Sequence, residues 1–101
     1  MQNLIIATFI AAEGKFDSLE EILKQSLPDT RAFDGCLQLD VYQEEGTSTF
    51  TIVEDWSSFE KYDEYLAWRM EGGMAELLDD LLEGGFPAGF KVQKFLAKRD
   101  L

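Results

Sequence analysis

Apolar residues run almost unbroken through LIIATFIAA (4–12), then recur every three or four positions from residue 16 onward. The first run is short, rich in β-branched side chains and closed by Glu13-Gly14, which predicts a strand buried on both faces. In FDSLEEILKQSLPDTRAF (16–33), Leu19, Ile22, Leu23 and Leu27 fall on one stripe of a predicted helix. Asp17 with Glu20 suits a capping box at its start, and Pro28 should kink or end it. After the Asp34-Gly35 turn, CLQLDVYQE (36–44) sets Leu37, Leu39 and Val41 against Gln38, Asp40 and Tyr42. Glu45-Gly46 then predicts a hairpin into STFTIVEDW (48–56).

The period changes at Trp56. Ser57 with Glu60 reads as a second capping box, launching a helix over roughly 58–71. Phe59, Tyr62, Leu66 and Arg69/Met70 share one of its faces. Gly72-Gly73 breaks it, and MAELLDDLL (74–82) restarts a helix with Leu77, Leu78, Leu81 and Leu82 inward. EGGFPAGF (83–90) reads as a flexible loop placed as a pocket lid, and FKVQKFLAKRD closes the chain as a strand. The order is β-α-β-β-α-β over one domain, 1–101. It predicts an α+β, ferredoxin-like fold: a four-stranded antiparallel sheet with helices on one face. The other face keeps apolar residues such as Ile52/Val53 and Leu4/Ile5/Ile6, which points to a homodimer through the open face of the sheet.

Charge narrows the partners. The net charge is −11, from 20 acidic and 9 basic residues, and the excess sits in 40–83, where only Lys61 and Arg69 offset the acids. So acidic a surface repels phosphate backbones and anionic bilayers, so neither nucleic acid nor membrane is expected as a partner. The N-terminal apolar run lacks a basic flank and is too short to span a bilayer. The lone Cys36 excludes an internal disulfide and fits a reducing, cytoplasmic setting. Histidine is absent, which removes the usual neutral-pH base and the commonest metal ligand.

The RAFDGC turn (31–36), the IVEDW strand end and the Ser-capped helix after it resemble the antibiotic biosynthesis monooxygenase family over essentially the whole chain. The resemblance implies a homodimer whose sheets pack as a dimeric α/β barrel. It implies oxidation of quinols or polyketide phenols by O2 with no cofactor, an activity several members have; others degrade haem. This chain departs from the family where many members carry histidine. Tyr65 occupies the first such position, and AWRMEGG (67–73) lacks the second. Strand one offers Ala7 and Thr8 where haem-degrading members supply Asn, so haem is not expected.

Trp56, at the strand end, reads either as a core plug or as the wall of a flat aromatic pocket. Tyr62, Tyr65 and Arg69 lie at i, i+3 and i+7 of one helix and face together, with Tyr42 and Trp68 completing a pocket for a planar substrate. Arg69 and Tyr65 would stabilise a phenolate. Glu54, or its neighbour Asp55, would take the proton if burial raised its pKa. Alternation allows only one of these two to face inward. Glu54/Asp55 and Asp79/Asp80 lack the spacing of a cation loop, so no metal site is expected, and Cys36 reads as a small buried strand residue. The expected function is a cofactor-independent monooxygenase acting on a small aromatic; the alternative is a non-catalytic dimeric domain that binds a small ligand or serves assembly.

Overall fold

The computed structural model describes residues 3–101. Its elements are β1 (Asn3–Ile10), α1 (Phe16–Ala32), β2 (Cys36–Gln43), β3 (Thr49–Trp56), α2 (Phe59–Glu71), α3 (Met74–Asp79) and β4 (Phe90–Phe95). The strands form one antiparallel sheet in the order β2-β3-β1-β4, the α+β, ferredoxin-like arrangement. The sheet is not closed on itself.

Residues directly opposite on antiparallel strands share a face, so the register separates the two sides. Ile5, Ala7 and Phe9 pair with Glu54, Ile52 and Phe50, and these are buried. Leu19, Leu23 and Leu27 of α1 and Leu78 of α3 pack into the same core. The opposite face carries Leu4, Ile6, Ile10 and Val53, all half-buried, with Phe95 exposed at the edge. β1 is therefore buried on one face only, not on both: no helix crosses its second side, and its unbroken apolar run covers two unlike environments.

Several boundaries differ from the sequence pattern for local reasons. Helix α1 begins at Phe16, so Asp17 already lies in its first turn, and Lys15 at the N-cap position makes no side-chain cap. An acid there still favours the helix dipole, but the capping box does not form. Pro28 does not end the helix, which continues to Ala32. In α2 the cap is Ser58 rather than Ser57; its side chain accepts from the Lys61 N–H, an arrangement worth about 1 kcal/mol.

A β-bulge between Cys36 and Gln38 breaks the alternation of β2 and leaves Leu37 64% exposed. Helix α3 stops at Asp79, and Leu82 instead bridges to Ala11, so Leu77 is 50% exposed while Leu78 and Leu82 are buried. The final strand ends at Phe95.

Two turns fix the ends of this frame. Gly35 has φ +101°, and a Cβ there would meet the Lys61 side chain at 2.5 Å, so only glycine fits between the end of α1 and the start of β2. The 83–90 segment is held by backbone bonds from Gly85 N to Leu82 O, Gly89 N to Gly85 O and Phe90 N to Pro87 O. The Asp79 carboxylate accepts from Phe86 N at 2.9 Å. The segment is thus a bonded turn, and it does not border the helix-side cavity described below. Among the described residues, no helix is long and apolar enough to cross a membrane.

Candidate functional site

α1, α2 and α3 converge over the sheet around a cavity of about 300 Å³. Its polar end is built by Ser26, Asp29 and Thr30 of α1 and by Tyr65 and Arg69 of α2, with Trp68 alongside. Thr30 and Tyr65 hydroxyls lie 2.7 Å apart. Arg69 Nε donates to Tyr65 Oη at 3.0 Å, and its Nη2 donates to Ser26 O at 2.7 Å and to Thr30 Oγ1 at 3.0 Å. The guanidinium also lies over the Trp68 ring, 4.8 Å from its centroid, and 5.4 Å from that of Tyr65. Both rings offer a cation–π face to it.

Counting donors shows what this network leaves free. Arginine has five N–H hydrogens, and Arg69 places three on the protein. The two on Nη1 have no acceptor among the described residues. Tyr65 and Thr30 share one hydroxyl hydrogen between them, so one of their two hydrogens is also uncommitted. Arg69 has no carboxylate partner among the described residues, so its charge is held by hydroxyls and a helix carbonyl. The arrangement suits an incoming oxygen that is negative or becomes so.

Thr30 is the residue the sequence reading passed over. It is 1% exposed and continues the buried stripe Leu19-Leu23-Leu27, three positions on. A hydroxyl on an otherwise apolar stripe was the available signal. Ser26 and Asp29 flank it and carried no such mark.

Of the residues selected from sequence, Arg69, Tyr65 and Trp68 are brought together at the cavity. Trp56 and Tyr62 lie behind them in a second buried cluster with Ile5. Trp56 is fully buried, its ring 5.3 Å from Tyr65 and 5.5 Å from Tyr62, and it does not border the cavity. Tyr42 pairs with Thr51 on the open face of the sheet, on the other side from the cavity, and is 57% exposed.

Alternation in β3 puts Glu54 on the helix side with Ile52 and Trp56, and Asp55 on the open face. Glu54 is 4% exposed and accepts from Trp56 Nε1 at 2.8 Å. Burial pushes its carboxyl up to about 7, against a smaller downward pull from the indole hydrogen bond. Burial, then the Glu54 charge, raises the Tyr62 hydroxyl, and the same two causes raise the Cys36 thiol. Glu54 does not line the cavity; Asp29 is the carboxylate that does, at its exposed rim. Among the described residues, no group of three or more Cys, Asp or Glu side chains gathers as a metal site.

Residues 4–70 match the family described as antibiotic biosynthesis monooxygenase. Among solved structures, protein SO0527 from Shewanella oneidensis is similar at 25% identity and a TM-score of 0.77, with 93% of this chain and 88% of that one covered. PA3566 from Pseudomonas aeruginosa is similar at 25% identity and a TM-score of 0.76, with coverage of 97% and 95%. A structure titled antibiotic biosynthesis monooxygenase shares the fold at 16% identity and a TM-score of 0.79, over 96% of this chain and 99% of that one. No match is found among curated proteins.

Proposed function

The chain belongs to the antibiotic biosynthesis monooxygenase family, and from that premise we propose that it oxidises a small phenol or quinol with O2 at the Arg69 cavity, without a cofactor. The observation that carries this reading is the guanidinium itself: anchored on Ser26, Thr30 and Tyr65, stacked on Trp68, and keeping two N–H hydrogens for a ligand. Such a preorganised donor favours the phenolate over the phenol. The aromatic walls of Tyr65 and Trp68 suit a planar ring.

The chemistry then belongs to the substrate. The phenol loses a proton to solvent at the cavity rim, where Asp29 stands, and its anion passes one electron to O2. The resulting radical and superoxide combine at a ring carbon. The hydroperoxide formed there loses water as that carbon becomes a carbonyl, so one oxygen atom enters the product and the other leaves as water. Trp56 and Tyr62 act from behind, packing Tyr65 in place, and Glu54 holds the Trp56 indole.

The active assembly is a homodimer joined through the open faces of the two sheets as a dimeric α/β barrel. Leu4, Ile6, Ile10, Val53 and Phe95 leave that face apolar. Tyr42 belongs to this face. A monomeric mass by light scattering at micromolar concentration would refute the dimer.

The activity is tested by O2 uptake against a panel of quinols, naphthols and anthrones. Turnover above autoxidation is expected, with at least a tenfold loss in Arg69→Ala while the circular dichroism spectrum is kept. Background rates for both proteins across the panel would favour a binding domain without catalysis.

A further inference from the structure

The cavity is two-sided along its length. All its hydrogen-bonding groups, and the rings of Tyr65 and Trp68, belong to the end where α2 meets Ser26 and Thr30. Away from that end the walls are aliphatic: Ile22 and Leu23 from α1, and Met74, Leu77 and Leu78 from α3. Phe9 of β1 adds an apolar surface from the sheet. The polar end spans Ser26 to Thr30, and from Ser26 back to Ile22 is four further helical residues, about 6 Å along α1. A ring seated on Arg69 leaves the Ile22 end of that length unfilled.

Charge fixes the direction. Beyond Ile22 and Leu77 the surface continues into a shallow depression bordered by Asp17, Glu21 and Asp80. An anionic oxygen is repelled there and attracted at Arg69, while an apolar chain meets apolar side chains between the two. Leu77 lines the cavity and is half-exposed, so it is open to an apolar chain laid along it.

We infer that the ligand is an alkyl-bearing phenol, with its oxygenated ring at Arg69 and Tyr65 and a short alkyl tail laid between α1 and α3 toward Ile22 and Leu77. This rests on the reading of the polar end as a phenol site and adds a second specificity element, set by α3. The tail side of the cavity uses burial of methylene groups, so each added carbon tightens binding about fourfold until the space is filled.

The test is calorimetric titration under nitrogen with phenol and its 4-methyl, 4-ethyl, 4-propyl and 4-butyl derivatives. The expected result is a climb of about fourfold per carbon. Arg69→Met should weaken every member by a similar factor and keep the climb, whereas Leu77→Trp should bring the butyl compound down to the affinity of phenol. Nuclear Overhauser contacts between the tail methyl and the methyls of Ile22 and Leu77 in the unaltered protein give the same answer without a variant. A flat series in which phenol still binds and still needs Arg69 would overturn the tail and leave the phenol site standing. A climb that persists undiminished in folded Leu77→Trp, or absent contacts to Ile22 and Leu77, would overturn it as well. Failure of every phenol to bind would remove the phenol site, and the tail with it.

Discussion

Helix α2 serves two regions that treat charge in opposite ways. On its buried side, Tyr62 closes over Trp56 and Glu54, a carboxyl group whose partner among the described residues is the indole N–H and no cation. On its other side, Tyr65 and Arg69 border the cavity, where the guanidinium has hydroxyls and a carbonyl but, among the described residues, no carboxylate. Tyr62 stands three residues before Tyr65 and seven before Arg69 on the same helix. In the first region packing leaves no room, so the carboxyl responds by holding its proton. In the second the space is open, and the arginine keeps unspent donors. A polar group sealed inside a closed cluster is a stability element, while one with free donors beside a cavity is the better candidate for chemistry.

The sharpest way to break that comparison is to truncate one member of each region. Trp56→Ala should cost about 4 kcal/mol in urea unfolding, because it opens a large cavity and strips Glu54 of its donor. Arg69→Ala should cost about 2 kcal/mol, the scale of charge-assisted hydrogen bonds at a partly exposed site. Equal losses would mean that the cavity wall is as structural as the core.

The next largest effect is on pH dependence. Glu54 has its carboxyl raised from 4.5 to about 7 in the folded chain, so between those values the native state holds a proton that the unfolded state has released. Stability should therefore fall as pH rises from 4.5 to 7, by about 3 kcal/mol from this group, and level off above. Unfolding of Glu54→Gln followed across pH 4 to 8 should lack this decline and exceed the unaltered protein above pH 7. If the two curves run parallel, Glu54 is ionised in the fold and the closed region has been misjudged.

The smallest effect concerns the junction between the regions. Tyr65→Phe keeps the ring against Trp56 and removes the hydroxyl shared with Thr30 and Arg69, so stability should drop by only about 1 kcal/mol. O2 uptake should fall by more than that, because Arg69 loses one of its anchors. Unchanged uptake would confine the site to Arg69 and Trp68.

Much of this was legible in the chain. An unbroken apolar run located β1, periodic patterns and turn signals located the other elements, and their order pointed to the antiparallel sheet. The spacing of Tyr65 and Arg69 placed them one turn apart, which is why they meet. Thr30 was hidden because a hydroxyl on an apolar stripe gains its meaning from what lies across from it, here a residue 39 positions away. The pattern places Leu37 and Leu77 inward, whereas a bulge and an early helix end, set by the neighbouring strand and the turn to Leu82, expose them.

The sequence by itself determined the elements, their order, the acidic surface and the helix that carries the candidate site, since each follows from local periodicity and composition. Only the tertiary structure decided that Glu54 faces the helices and Asp55 the open side, that Trp56 lies behind the cavity, and that α1 supplies half of the cavity wall. Alternation says that two neighbours on a strand point apart. Which of them meets a helix is decided by which face α1 and α2 cross, and that is a matter of packing between segments distant in the chain.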